Sequence, residues 1–172
     1  QYSLSTAFDI STATLISTTQ LTEPGETDAT FSFLPHAIEF KPDGTRMFVV
    51  RNTGTLVYQY DLSTAWDVST ISFSTKYDVS DENQLRSLTF KPDGSRMYVT
   101  GNENEKIKEY SLSTPWDITT SNVTHVRDSV ALTSTDNNPR NIQFSKEGTE
   151  FYYAGNGSNN MHKFTLSTAW DR

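Results

Sequence analysis

Three observations predict an all-β fold of repeated antiparallel units. The hexapeptide LSTAWD stands at Leu62 to Asp67 and again at Leu166 to Asp171, with LSTPWD at Leu112 to Asp117 and LSTAFD at Leu4 to Asp9. A second string, FKPDGTRMFVV at Phe40 to Val50, returns as FKPDGSRMYVT at Phe90 to Thr100 and as FSKEGTEFYYA at Phe144 to Ala154. The segments between them are short and rich in Val, Thr, Tyr and Phe, with Gly, Pro, Asn and Asp as punctuation, the composition of strands and tight turns.

Both strings advance together. The step is 50 residues from Gly44 to Gly94 and from Trp66 to Trp116, then 54 from Gly94 to Gly148 and from Trp116 to Trp170, so one unit of about fifty residues is copied. Its first strand is Ala37 to Phe40. Pro42-Asp43-Gly44 makes the turn, Pro presetting φ and Gly taking the left-handed position. Gly44, Gly94 and Gly148 are all expected at φ > 0, and the strain alone predicts a loss of ~1–3 kcal/mol for Gly94→Val. The second strand is Arg46 to Arg51, the third Leu56 to Leu62 and the fourth Ile71 to Val79. The next unit repeats these as Ser87 to Phe90, Arg96 to Gly101, Ile107 to Leu112 and Asn122 to Leu132. The last supplies Asn141 to Phe144, Glu150 to Ala154 and Met161 to Leu166, and its fourth strand is sought at the other end of the chain, in Ala13 to Leu21.

Four antiparallel strands in a unit of this length make a β-propeller blade. The expected architecture is a single half-propeller domain over 1–172, with three four-stranded blades at about 36–79, 85–132 and 139–166 plus 13–21. The FKPDGTRMFVV string resembles the F-x-P-D-G signature of the YVTN and NHL propeller repeats. The longer YxLSTAWDVST stretch resembles propeller repeats of marine bacteriophage and environmental viral proteins. The resemblance covers essentially the whole chain and implies the fold. Some relatives with YVTN-like repeats are lactone hydrolases. The WD dipeptides are not those of true WD repeats, because they follow the third strand and lack the Gly-His partner.

Closed propellers have four to eight blades. Three per chain therefore predict a homodimer closing six blades, each N-terminal strand completing the third blade of the other copy, with a nine-bladed homotrimer as the alternative. In this reading LSTAWD is a corner. Ser and Thr bond nearby amides, Trp plugs the bend and Asp ties the loop. The alternative use of the tryptophans is a row of rings for stacking on sugars.

Composition excludes several classes of partner. A formal charge of −7 disfavours nucleic acid, which needs a basic groove. No apolar run approaches the ~20 residues that span a bilayer. The chain has no cysteine, which removes disulfides, zinc–thiolate centres and thiol nucleophiles. It starts at Gln1 without a Met or an apolar leader, as a processed or excised chain would. No G-x-S-x-G, H-E-x-x-H or phosphate-loop motif occurs, and nothing calls for a cofactor or a metal.

The turns and corners on one face recur almost unchanged, while the loops of the opposite face (RNTGTL, GNENEK, GNGSNN, SDENQLR, STDNNPR) vary, so a functional site is expected on the variable face. There His36, Arg86 and Arg140 occupy equivalent positions before the first strands, with Asn52, Asn102 and Asn156 nearby. This set could hold an anionic group at the channel mouth, or else each cation could pair with a local acid such as Glu39, Asp81 or Asp136. Asp81-Glu82-Asn83 and Asn102 to Glu105 lack calcium-loop spacing and are expected as solvated turns. His125 and His162 fall in strand patterns and are expected as ordinary side chains. The function expected from these features is a non-catalytic binding or structural module contacting a glycan or protein, in a virion or extracellular setting. The alternative is a fragment of a propeller hydrolase or lyase with its active centre at the channel mouth.

Overall fold

The computed structural model of the chain describes residues 1–22, 34–51, 54–80, 82, 84–102, 106–129, 139–157 and 160–170. Among them an N-terminal hairpin joins β1 (Tyr2–Leu4) to β2 (Ala13–Leu15). Blade 1 is the four-stranded sheet β3 (Pro35–Phe40), β4 (Arg46–Arg51), β5 (Leu56–Leu62), β6 (Ile71–Asp78), and blade 2 is β7 (Leu85–Phe90), β8 (Arg96–Gly101), β9 (Ile107–Leu112), β10 (Val123–Asp128). Blade 3 has three strands, β11 (Pro139–Phe144), β12 (Glu150–Gly155) and β13 (Met161–Thr165). Every strand pair is antiparallel, as hairpin-linked meanders require.

The expectation of three four-stranded blades is corrected in one respect. The segment sought as the fourth strand of blade 3 is shorter than Ala13 to Leu21, and it pairs with its own neighbour β1. The local hairpin forms because residues 1–9 repeat the third-strand element and lie only a corner away. In blade 2 the fourth strand begins at Val123, since Thr120–Asn122 is a short 3-10 turn, and residues 130–132 lie outside the described set.

The core lies between blades. Phe48, Val50 and Val57 of blade 1 pack on Leu88, Phe90, Met97, Val99, Tyr110, Leu112 and Trp116 of blade 2. Tyr98 and Ile107 of blade 2 pack on Ile142, Phe151 and Tyr153 of blade 3. On its other side blade 1 packs Met47, Val49 and Tyr58 with Leu21. The second strands of blades 1 and 2 are thus buried on both faces, which is why they read as the runs MFVV and MYVT instead of an alternation.

Polar bonds fix the spacing between blades. The Gln59 side-chain oxygen accepts from the buried Ile118 amide at 3.0 Å, Arg46 Nη1 donates to the Trp116 carbonyl at 2.7 Å, and Tyr110 OH donates to the Val79 carbonyl at 3.1 Å. Gln59→Leu would leave the Ile118 N–H buried without this acceptor. It is expected to lower stability by about 1–3 kcal/mol in urea unfolding, and a loss below about 0.5 kcal/mol would show that the bond between the blades does not matter.

The repeated strings meet in space. Gly44, Gly94 and Gly148 sit at φ 72°, 73° and 68°. Trp66, Trp116 and Trp170 are themselves left-handed, at 66°, 61° and 59°. Each Trp amide donates to the carbonyl of its turn glycine, at 2.9, 3.0 and 2.7 Å. Each indole lies over that glycine so closely that a Cβ there would overlap the ring. The Asp of the corner caps the following bend: Asp67 Oδ1 accepts from the Ser69 amide at 2.9 Å and from its hydroxyl at 2.6 Å, and Asp117 does the same with Thr119. The Asp of the turn works likewise. Asp43 accepts from Thr45 and pairs with Lys41 at 2.7 Å, and these bonds hold its carboxyl well below the usual range. At Asp93 burial pushes upward, but Lys91 and Ser95 outweigh it and hold the pKa at about 2. Corner and turn are one unit, and their tryptophans are lids on glycine. That packing excludes a row of free rings for sugar stacking at Trp116, which is 7% exposed.

Candidate active site at the channel mouth

The first strands are innermost, with β7 touching β3 on one side and β11 on the other. Ser87 Oγ of β7 donates to Asn141 Oδ1 of β11 at 3.1 Å and accepts from the Ile142 amide at 3.2 Å.

Each first strand carries the same irregularity. The register shifts between Pro35 and Ala37, between Leu85 and Ser87, and between Pro139 and Asn141. The residue left over in each shift is His36, Arg86 or Arg140. A bulge leaves one residue out of the ladder and re-aims its side chain. Three bulges at one level of neighbouring strands therefore gather three cationic or titratable groups, and this is where the structure places the three residues singled out by sequence equivalence.

Their geometry is close. Arg86 Nη1 lies 3.2 Å from His36 Nδ1 and 3.4 Å from Nε2, and Arg86 Nη2 donates to Gln84 Oε1 at 2.5 Å. A guanidinium has only donors, so its contact with the imidazole requires an unprotonated ring nitrogen. The electrostatics agree. Burial lowers the His36 pKa below its ordinary 6.5, the charges of Arg86 and Arg140 lower it further, and a bond to the Leu85 backbone opposes them. Arg86 is pushed down by burial and by Arg140. Glu39, on the same first strand as His36, is pushed up by burial.

The asparagines are less uniform. Asn52 lies outside the described residues, as do Asp81 and Asp136, two of the acids considered as partners of the cations. Asn102 is half-buried and its backbone amide donates to the Gln84 carbonyl at 3.1 Å, while Asn156 is exposed. Gln84 was not singled out in the sequence. Its only signal is that it stands two residues before Arg86, on the same side of the chain. Glu82, expected in a solvated turn, is instead 3% exposed and packed on Gly101. Glycine at 101 leaves the space this carboxylate fills. Among the described residues no three His, Asp or Glu gather as a metal site would need. His125 bonds Asp128 at 2.8 Å, and His162 stacks on Tyr153 at 4.8 Å between centroids.

Antiparallel blades packed side by side, with first strand against first strand, define a β-propeller fold. The chain belongs to the lactonase family of seven-bladed β-propellers, which it matches over residues 4–170. No curated protein sequence matches it. Among solved structures it is similar to the periplasmic gluconolactonase PpgL of Pseudomonas aeruginosa, at 14% identity and TM-score 0.57, covering 76% of this chain and 35% of that one. It is also similar to a structure assigned as a 6-phosphogluconolactonase from Bacteroides uniformis, at 17% identity and TM-score 0.58, covering 76% and 36%. The propeller domain of Cps50 (Swd1) from Myceliophteria thermophila aligns at 9% identity and TM-score 0.53, covering 76% and 39%. At these identities the likeness shows the fold. The chain spans little more than a third of the length of these structures.

Family membership overturns the expectation of a non-catalytic binding or structural module. The expectation rested on the absence of a catalytic sequence motif. A propeller takes one side chain per blade, about fifty residues apart, so a contiguous motif is not the form in which its chemistry is written.

Proposed function

We propose that this chain forms part of a lactone hydrolase with its active centre at the channel mouth. The observation that carries the reading is the convergence of three bulge residues, one per blade, with His36 held neutral beside Arg86. In this reading His36 is the general base. Arg86 turns from the ring to the lactone oxygen, the freed ring nitrogen takes a proton from water as the water oxygen attacks the carbonyl, and Arg86 and Arg140 stabilise the negative charge that develops. The ring C–O bond then breaks and the proton passes to the leaving alkoxide. One lactone and one water give one hydroxy acid. Gln84 positions Arg86, and Asn102 and Asn156 are assigned to the rim, where amides suit a hydroxyl-rich substrate.

Six blades from two copies form the ring in this proposal, one fewer than the family's seven, and the phage-like corner adds a virion or extracellular setting to it. The test is a pH-stat panel of aldonolactones, with and without a phosphate group. Turnover is expected to exceed that of His36→Ala and to depend on a basic form of His36. Because its pKa is lowered, the acid limb should have its midpoint below 6.5, with the rate rising as pH rises through it. Turnover equal to that of His36→Ala across the panel would overturn the assignment.

A further inference from the structure

Glycine ends the second strand of blade 2, and a carboxylate occupies the space it leaves. Gly101 stands opposite Leu85 at the mouth end of β8, where blade 1 has Arg51 opposite Pro35. A Cβ at 101 would overlap the carboxylate of Glu82 and come within 3.0 Å of the Gln84 carbonyl oxygen. Both contacts come from the segment that leads into β7 and the bulge at Arg86. Glu82 is 3% exposed there. Burying a carboxylate costs more than burying an apolar side chain of the same size, so filling space does not account for it.

The backbone held in place is that of Gln84. Its carbonyl accepts from the Asn102 amide at 3.1 Å, one residue beyond Gly101, and it bridges to Gly54 in the β4–β5 loop of blade 1. Its side chain accepts from Arg86 Nη2 at 2.5 Å, while Arg86 Nη1 meets the His36 ring at 3.2 Å. A continuous path thus runs from the seat at 101 to the imidazole. Blade 1 is built differently: Leu34, 47% exposed, stands two residues before His36, and β4 ends in Arg51, whose guanidinium lies 5.5 Å from the Tyr58 ring centre.

We propose that Glu82 is a positioning residue: seated in the space that glycine leaves at 101, it fixes the lead into β7 so that Gln84 holds the Arg86 guanidinium against His36. The proposal rests on the reading of the mouth as a lactone-hydrolysing site and adds the residue that decides where Arg86 stands before substrate arrives.

The position of Arg86 is recorded in the titration of His36. Burial lowers its pKa most, Arg86 of β7 and Arg140 of β11 lower it further, and a bond to the Leu85 backbone opposes them. The other ionisable groups on the adjoining strands are Glu39 of β3 itself and Arg51 of β4, across from Pro35. Moving Arg86 away therefore raises the His36 pKa toward its ordinary 6.5.

Gly101→Ala displaces the Glu82 carboxylate and Glu82→Asp shortens it, and both keep its charge. Each is expected to raise the His36 pKa, read by NMR titration of the imidazole nitrogens, with His36→Ala assigning the signal among the chain's three histidines. In an Arg86→Ala background neither substitution should move it further, because the path ends at that guanidinium. The kcat/KM for lactone hydrolysis is expected to fall by up to about 10²-fold, the scale of a small misplacement of a positioned group. The far-ultraviolet spectrum reports folding, and Glu82→Asp, which introduces no overlap, carries the test if Gly101→Ala does not fold. A His36 pKa unmoved in the folded variants, or a rise that persists without Arg86, overturns the proposal and reduces Glu82 to packing. The titration needs no substrate, so a pKa that moves as expected in a protein that turns over no lactone keeps the positioning role and removes the lactone reading instead.

Discussion

Gly94→Val is expected to destabilise the protein by about 3–5 kcal/mol, the largest effect of any single substitution outside the aromatic core. Strain at φ 73° contributes roughly 1–3 kcal/mol. The remainder comes from Trp116. Its indole lies where the new Cβ would be, and it packs against Phe90 at 4.9 Å and Phe48 at 6.3 Å between centroids. Moving it opens the layer between blades 1 and 2, and losing a large buried aromatic costs about 3–5 kcal/mol when complete. Against a typical total stability of ~5–15 kcal/mol, much of the protein would be close to unfolding. Gly44→Val supplies the comparison. It has the same backbone strain, but its lid Trp66 is 51% exposed and has less packing to lose. Urea midpoints should therefore rank Gly94→Val below Gly44→Val. Equal losses would reduce the corner tryptophans to ornaments on a strained turn.

Arg86→Ala combined with Arg140→Ala is expected to lower kcat/KM for lactone hydrolysis by about 10²–10³-fold or more, the range set by removing one donor from an oxyanion-type site. The loss should fall mainly on kcat, because in the proposed reaction the negative charge beside these groups develops in the transition state. Both residues occupy bulges at the mouth, Arg140 exposed and Arg86 half-buried, and the far-ultraviolet spectrum and urea midpoint of the double variant should stay close to those of the parent. The variant should also move the acid limb of the pH profile upward toward the ordinary value of 6.5, since two charges that lower the His36 pKa have been removed. Turnover unchanged, or lost only with the fold, would remove both arginines from the reaction.

The blades were legible in the amino-acid sequence because each strand and turn is decided locally. Pro42 presets one dihedral, Gly44 permits another, and the runs MFVV and MYVT, short, rich in β-branched and aromatic residues and preceded by a Pro-Asp-Gly turn, suit a strand covered on both faces. Equivalence between repeats carried further still, since copying at a fixed step put His36, Arg86 and Arg140 at one level before any contact was known. Three things were decided only by tertiary structure. The pairing of Trp116 with Gly94 links residues 22 positions apart across a bend that neither string describes. The bulges that aim the three mouth residues are shifts between strands, a property of pairing that a single strand does not possess. The partner of β2 is the third. The chain holds the third-strand element at both ends, so the sequence allows Ala13 to pair with Leu4 or with Leu166, and within one chain proximity through a short corner selects Leu4.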